Sequence, residues 1–456
     1  DFLPLATNAH IVEGNALLLD WESIIPRANL NYILGNPPFV GARNMTAEQK
    51  ADIKKIFAGW KNIGNLDYVS CWYKKSVDYM HGTSVRAALV STNSITQGEQ
   101  AAILWKPLFK NGVHIDFAHR TFRWDSEAHV HCVIVGFSTA PYTKPKIIFT
   151  STQPQIANNI NVYLLDAPNV FIEKRKHPIC NVPEVVFGNM PNDDGALSDF
   201  STSKKDEIIE KYPQAEKFFK KFLGATEFLN NKERWCLWLK NASPKEIKDI
   251  PPIMEAVTKV KKTREASERK ATKLLAAYPT LFGEIRQPET PYIIIPRHSS
   301  ETRRYIPMGF VSPDIICGDA NLLMPDATLY HFGIMTSFIH NAWMRVVAGR
   351  LEMRYRYSST IVYNNFPWPN PTNEQRAKIE KTAQAILDAR DNHPQESLAD
   401  LYDETFMPAD LRKAHQDNDR AVMEAYGLNK NSPEFKSESA CVAMLMKMYQ
   451  NLTEKS

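Results

Sequence analysis

Between Ala9 and Ser138 short runs of branched aliphatic residues alternate with amphipathic stretches, and this alternation constrains the fold more than any other feature of the chain. Ile11-Val12, Tyr32-Ile33-Leu34, Ala87-Ala88-Leu89-Val90 and residues 130–137 have the composition of strands. Residues 46–57, 68–80 and 98–109 carry apolar positions at helical spacing. Strands that alternate with helices predict an α/β fold built on a largely parallel, doubly wound sheet. Residues 140–146, with Pro141 and Pro145, read as the exit from that domain.

Beyond it the pattern changes twice. From about Pro154 to Pro369 aromatic residues and prolines punctuate the sequence densely, with strand-like pieces such as Tyr292-Ile293-Ile294-Ile295, so a mixed α+β domain is expected. Within it residues 258–273 (Lys259, Lys261, Lys262, Arg264, Arg269, Lys270 and Lys273 against Glu265 and Glu268) form a basic helical stretch. It suits either a solvated face or a helix that contacts phosphates. After Pro369 the chain turns helical: Thr372-Asn373-Glu374-Gln375 has the form of a capping box, and Ile379, Ala383, Ile386 and Leu387 recur at helical spacing. A second helix is expected from Pro408 to Gly427 and a third over residues 438–452.

At 456 residues two to four domains are expected. No apolar run is long enough to span a bilayer, so no membrane association is expected. The cysteines Cys71, Cys132, Cys180, Cys236, Cys317 and Cys441 are scattered without a CxxC pair, which speaks against a zinc ribbon and fits a reducing cytoplasm without disulfides. A formal charge of +4 permits nucleic-acid binding without demanding it. The sequence begins at Asp1 and runs almost directly into strand-like residues, so it reads as part of a longer protein.

Asn36-Pro37-Pro38-Phe39 follows the strand-like Asn31–Leu34 through Gly35, at the carboxyl end of a strand, where open α/β sheets bind ligands. The Asn36 side-chain oxygen and the Pro37 carbonyl form a pair of acceptors suited to an exocyclic amine. An amine of that kind is a poor nucleophile because its lone pair is delocalised into the ring. Two acceptors that take both its hydrogens draw the nitrogen toward a tetrahedral, nucleophilic geometry. The prolines stiffen the loop and remove competing N–H donors, so the acceptors are held in advance. Phe39 offers a face on which a base swung out of a duplex can stack.

A second signal is Gly349-Arg350-Leu351-Glu352-Met353-Arg354-Tyr355-Arg356-Tyr357-Ser358. As a strand it sends Leu351, Met353, Tyr355 and Tyr357 to one face and Arg350, Glu352, Arg354 and Arg356 to the other. Arginine pairs bidentately with guanine and glutamate accepts from cytosine N4, so the polar face can read base edges.

The order of these elements resembles the amino-methyltransferases, and in particular the MmeI-like family of combined restriction-and-modification enzymes. Gly14-Asn15-Ala16-Leu17, ending in Asp20-Trp21, resembles the loop in which a polar residue, here Asn15, contacts the adenine of S-adenosylmethionine. Leu66-Asp67-Tyr68 and Val90-Ser91-Thr92-Asn93 resemble the next two motifs. Thr121-Phe122-Arg123-Trp124 precedes a strand that starts near Val130, and the resemblance implies that Phe122 or Trp124 closes over the flipped base opposite Phe39. It further implies that Glu352, Arg354 and Arg356 contact target bases, and that Val362–Pro369 closes the recognition domain. The cluster of His129, His131 and Cys132 is explained by alternation along a strand, and no metal is expected.

The implied architecture is a partial class I S-adenosylmethionine-dependent methyltransferase sheet (residues 1–150), a target-recognition domain (151–369) and a helical carboxyl-terminal domain (370–456). The implied activity is adenine-N6 methylation of double-stranded DNA at a specific site, in the bacterial cytoplasm on the nucleoid. The glycine-rich loop that cradles S-adenosylmethionine is expected before Gly14, yet no Gly-x-Gly occurs in these residues. That loop and the family's amino-terminal endonuclease are therefore expected in the full-length chain. Glu434-Phe435-Lys436 and Glu246-Ile247-Lys248 have nuclease-like spacing but no acidic partner on an upstream strand, and read as surface charges. A DNA-recognition module that is inactive without the cofactor loop is the alternative from another class. Protein-glutamine or RNA methylation is disfavoured by the large domain behind the sheet, and cytosine-N4 methylation by the asparagine that opens the motif.

Overall fold

A computed structural model describes residues 9–124, 130–151, 153–351 and 353–454. They form two compact units, one of Asp1–Lys174, Val346–Arg350 and Val442–Ser456, the other of Arg175–Arg345 and Leu351–Cys441. Among the described residues no helix is long and apolar enough to cross a membrane.

The first unit is built on β1 (Tyr32–Gly35), α1 (Ala47–Ile56), α2 (Ser70–Met80), β2 (Arg86–Thr92), α3 (Gly98–Lys110), β3 (His114–Arg123), β4 (His131–Ser138), β5 (Lys146–Phe149) and β6 (Gln155–Ala157). Helix α1 starts where the sequence supplies a reciprocal cap: Gln49 N–H donates to Thr46 Oγ1 at 3.2 Å and Thr46 N–H to Gln49 Oε1 at 3.0 Å. Strand β2 alternates between buried and half-buried residues. Tyr73 from α2, Trp105 from α3 and Phe137 from β4 meet in a fully buried aromatic cluster, Tyr73 stacked on Phe137 at 5.3 Å and Trp105 edge-on to both. Their polar atoms stay paired: Tyr73 Oη lies 2.7 Å from Ser91 Oγ, and Trp105 Nε1 donates to the Ile95 carbonyl at 3.0 Å.

The sheet order is β1-β2-β4-β3-β5-β6. It is mixed rather than largely parallel: β1 with β2 and β3 with β5 are parallel, while β2 with β4, β3 with β4 and β5 with β6 are antiparallel. Too few residues separate β3 from β4 for a crossover helix, so the pair must run antiparallel. Their closest approach needs a glycine, because a Cβ on Gly136 would lie 2.1 Å from the Phe117 ring. The expected domain exit at residues 140–146 instead leads into β5 and β6 on the same sheet. Ile11 and Val12 form no strand; they are 91% and 50% exposed, without a ladder to join. Edge strand β1 leaves Tyr32 66% and Leu34 75% exposed.

The second unit contains β7 (Val186–Phe187), α4 (Pro251–Glu265), β8 (Tyr292–Pro296), β9 (His298–Ser299), β10 (Gly309–Val311), β11 (Asn321–Met324) and β13 (Arg354–Arg356), while β12 (Gly349–Leu351) begins in the first. The antiparallel order β10-β8-β11-β7 buries β8 and β11 on both faces. The run expected as one strand from Gly349 is broken: Met353 lies in a turn, and Leu351 and Met353 are 44% and 37% exposed rather than on a core face. Tyr355 and Tyr357 are buried as period two requires. Helices α5 (Asn373–Asp391) and α6 (Ala409–Ala425) follow in this unit, while most of α7 (Glu438–Glu454) belongs to the first. Thr372 caps α5 with Gln375, and α6 ends before Gly427 at φ 78°.

Arg264 departs from both readings of the basic stretch. It is fully buried on the apolar side of α4, in line with Ile253, Val257 and Val260. All five guanidinium N–H groups meet backbone carbonyls, those of Asn192, Leu275, Tyr278, Pro191 and Leu281, at 2.7 to 3.0 Å. One side chain thus ties the segment at Pro191-Asn192 to the chain that follows α4. Arg264→Ala leaves those carbonyls without their donor and is expected to destabilise this unit by roughly 3 kcal/mol or more. The check is the urea midpoint of unfolding at unchanged slope; a midpoint close to that of the unaltered protein contradicts the role.

Candidate active site and cationic face

The parallel register of β1 on β2 runs Tyr32 to Arg86, Ile33 to Ala87, Leu34 to Ala88 and Gly35 to Leu89. Asn36 therefore leaves the sheet at the end where β2 delivers Thr92 and Asn93. Pro37 is buried, Asn36 and Pro38 are exposed and Phe39 is half-buried, so the loop is anchored by one proline and presents the asparagine outward. Asn36, Pro37 and Pro38 border a cavity of about 530 Å³ whose walls include Trp21, Trp72 and Tyr79.

The loop that carries Asn15 closes another side. Asn15 Oδ1 accepts the Leu17 N–H at 3.0 Å, and its Nδ2 donates to Asp52 Oδ2 at 3.0 Å. The same carboxylate oxygen accepts the Tyr68 hydroxyl at 2.6 Å. Burial first, and then this bond to Asp52, holds the Tyr68 phenol protonated well above its ordinary range. Lys75 of α2 donates to the Leu17 and Leu19 carbonyls at 2.8 and 2.5 Å, with Trp21 beneath its ammonium at 5.1 Å. Burial lowers its pKa, with Asp20 opposing. Asp52 and Lys75 hold the Asn15 loop, and sequence spacing gave no sign of either. Helix caps and periodicity do not report side chains that reach another segment.

Strand β3 reaches the same edge of the sheet. Because β2 and β3 are each antiparallel to β4, β3 runs parallel to β1, and its carboxyl end carries Phe122, Arg123 and Trp124. At about 4.8 Å between neighbouring strands, β3 lies about 14 Å across the sheet from β1. Phe122 is half-buried with its ring edge-on to His119 at 4.6 Å. Trp124 is 38% exposed, 6.2 Å from Phe122. At the end of β2 between them, Asn93 is 7% exposed and its Nδ2 finds no hydrogen-bond partner among the described residues. A ligand acceptor can satisfy such a group.

Of the residues with metal-ligand chemistry, His131 and Cys132 alternate on β4 between half-buried and buried, and His129 lies outside the described residues. Among the described residues no three histidine, cysteine or acidic side chains converge to hold a metal.

In the second unit Arg354 and Arg356 are exposed on β13, whereas Glu352 lies outside the described residues. β13 pairs with β9, placing His298 opposite Arg356. Arg297 joins them from the adjoining residue, its guanidinium 4.8 Å above the Phe187 ring and donating to the Asp319 carbonyl at 2.8 Å. Burial, then Arg297, Arg356 and Arg354, lower the His298 pKa. The fold thus gathers Arg297, His298, Arg354 and Arg356 from segments about sixty residues apart in sequence, a juxtaposition that only strand pairing reveals.

Residues 1–150 match the family model described as MmeI, DNA-methyltransferase domain; residues 166–370 match MmeI, target recognition domain; residues 371–455 match MmeI, C-terminal domain. The chain is 38% identical over 459 residues to DNA methyltransferase A of Bacillus subtilis (strain 168), a similarity that covers 99% of the chain and 52% of that protein. It also matches the solved structure of the Type IIL restriction-modification enzyme MmeI in complex with DNA, with a TM-score of 0.87 and 44% identity over 99% of this chain and 61% of the other. The chain therefore spans about half the length of the curated relative and three fifths of the solved one. With its methyltransferase, target-recognition and carboxyl-terminal parts in that order, the chain belongs to the MmeI family.

Proposed function

We propose that this chain is the target-activating and sequence-reading part of a site-specific DNA adenine-N6 methyltransferase within a restriction-modification enzyme. The observation that carries the reading is the position of Asn36-Pro37-Pro38-Phe39: it leaves the carboxyl end of β1 with Pro37 buried and Asn36 exposed at the mouth of a cavity. Asn36 Oδ1 and the Pro37 carbonyl accept the two amino hydrogens of a flipped adenine and turn its nitrogen into a nucleophile. Phe39 stacks on the base, and Phe122 or Trp124 from the same sheet edge closes over its other face. Asparagine at the first position of the motif favours adenine over cytosine-N4.

S-adenosylmethionine supplies the methyl group. The residues present fit its adenine end, where Asn15 is held in place by Asp52. They do not fit its amino-acid end, since among the described residues no lysine, arginine, aspartate or glutamate borders the cavity beside Asn36. We assign that end to a glycine-rich segment outside these residues, paired on the open edge of β1, where Tyr32 and Leu34 stand exposed. The same open edge favours a second reading, a DNA-recognition module without activity of its own. Calorimetry separates the two, since micromolar binding of S-adenosylmethionine to this chain sinks the module reading.

The partner is double-stranded DNA with a specific site, met in the bacterial cytoplasm, and an endonuclease segment accompanies these domains in the full-length protein. Arg354, Arg356 and Glu352 read base edges, with Arg297 adding positive potential beside them and His298, its pKa lowered, offering a neutral donor and acceptor. The three-part division at residues 150 and 369 belongs to this reading.

Asn36→Ala in the full-length protein is expected to lower the single-turnover methylation rate by a factor on the order of 100 to 1,000 while DNA affinity stays within about twofold. Retained methylation overturns the active-site assignment. Arg354→Ala is expected to relax the choice of base pair at one position of the site, at a cost of roughly 1–3 kcal/mol in discrimination. Methylation of a library of single-base variants of the site reads this out; an equal loss on every sequence shows Arg354 to be a phosphate contact instead.

A further inference from the structure

The loop that presents Asn36 needs more than its prolines to stay in place. Proline fixes its own φ but donates nothing, so Pro37 and Pro38 stiffen the loop without tying it to the body of the protein. Downstream of them the loop is held by one dipeptide, Asp67-Tyr68. The Tyr68 N–H donates to the Val40 carbonyl at 2.9 Å, and Asp67 Oδ1 accepts the Ala42 N–H at 2.9 Å. The other carboxylate oxygen, Asp67 Oδ2, accepts the Ser94 hydroxyl at 2.5 Å, and Ser94 Oγ lies 2.7 Å from Thr92 Oγ1 at the end of β2. Asp67 is itself fixed from behind, its N–H donating to Gln100 Oε1 of α3 at 2.9 Å.

We infer that Asp67 is a positioning residue for the methyl transfer: its carboxylate brackets the exit of the Asn36 loop to the end of β2 and so fixes where the acceptor pair stands. The inference rests on the reading of Asn36 given above and extends it to a residue that touches neither base nor cofactor. The chemistry suits the task. A carboxylate has two oxygens facing different ways and accepts charge-assisted hydrogen bonds, so one group can hold a backbone amide of the loop and a hydroxyl of the neighbouring strand end together. Both anchored segments flank the reaction edge: Ala42 lies six residues after Asn36 and Ser94 one after Asn93. The buried Tyr68 that follows donates its hydroxyl to Asp52, which holds Asn15, so a single turn of chain supports both the base-activating loop and the loop assigned to the cofactor. Displacement of acceptors by about 1 Å is enough to cost a hundredfold in rate.

The test uses the full-length protein. Asp67→Ala is expected to lower kcat for methylation roughly tenfold to hundredfold, with the dissociation constants for DNA and S-adenosylmethionine and the melting temperature little changed. Asp67→Asn is expected to restore most of the rate. Its amide oxygen accepts the Ala42 N–H and its NH2 donates to Ser94 Oγ once that hydroxyl turns. A 2-aminopurine at the target position reports base flipping independently and is expected to retain its fluorescence rise in both variants. Wild-type kcat in Asp67→Ala overturns the inference, as does equal loss in the alanine and asparagine variants, or a loss matched by weaker cofactor binding. If Asp67→Ala does not fold, Ser94→Ala carries the test, because it removes only the strand side of the bracket: a fall in kcat at unchanged melting temperature supports the role and an unchanged kcat refutes it. Asn36→Ala measured alongside separates the two levels of argument. Active Asn36→Ala removes the function itself, whereas inactive Asn36→Ala with fully active Asp67→Ala removes only the bracket.

Discussion

The parallel pairing of β1 with β2 is the constraint on which the rest of the first unit depends. Parallel strands deliver their carboxyl ends to the same side, so the loop from Asn36 and the turn from Asn93 emerge together. Two antiparallel pairings through β4 then bring the end of β3, with Phe122 and Trp124, to that edge as well. Three segments far apart in sequence become one rim because β1, β2 and β3 run in the same direction, with β4 reversed between β2 and β3. The aromatic cluster of Tyr73, Trp105 and Phe137 keeps α2 and α3 against these strands. A shift of one residue in the β1 register would turn Ile33 and its neighbours to the other face and rotate Asn36 with them.

Much of this was readable in advance, for identifiable reasons. Helices α1 and α5 announced themselves through threonine caps with a glutamine three residues on, because capping is local chemistry. The position of the Asn36 loop after a strand was readable because the aliphatic run Tyr32–Leu34 stops at Gly35 and two prolines, which cannot continue a ladder, follow. What failed depended on pairing. Ile11-Val12 has the composition of a strand but no ladder among the described residues, and Gly349–Ser358 has the alternation of one strand but breaks at Met353. Arg264 was assigned with its basic neighbours to a solvated or phosphate-contacting face, because composition cannot show that five carbonyls converge where its side chain ends. Asp52 and Lys75 were invisible for the same reason: their roles exist only after the chain has folded.

The two units handle charge in opposite ways. In the first, cations near the site are spent internally: Lys75 is satisfied by the Leu17 and Leu19 carbonyls, and the carboxylates of Asp52 and Asp67 are engaged by donors from the protein. In the second, strand pairing brings Arg297, His298, Arg354 and Arg356 together, and burial, then the three arginines, lower the pKa of His298. Such a gathering of arginines makes a positive potential that attracts an anion. A phosphate backbone is an anion of that kind, and a histidine kept neutral by its neighbours still offers a donor and an acceptor to a base edge or a sugar.

The apolar lining of the Asn36 cavity, uncharged among the described residues, has a chemical consequence of its own. An adenine amine is activated by withdrawing its two hydrogens toward acceptors, and water competes for both those hydrogens and the acceptors. On the proposed reading, apolar walls such as Trp21 and Trp72 would exclude that competitor and strengthen the two hydrogen bonds to the amine, because electrostatic attraction rises as the local dielectric falls. A carboxylate placed there as a base would gain nothing, since methyl transfer makes the amine cationic before any proton needs to leave, and water can take that proton afterwards. Asp52 and Asp67 do not border the cavity; they bind donors from the protein, which on the proposed reading would hold the acceptors still. Catalysis in the site as proposed would come from fixed dipoles, with the carboxylates contributing by fixing them.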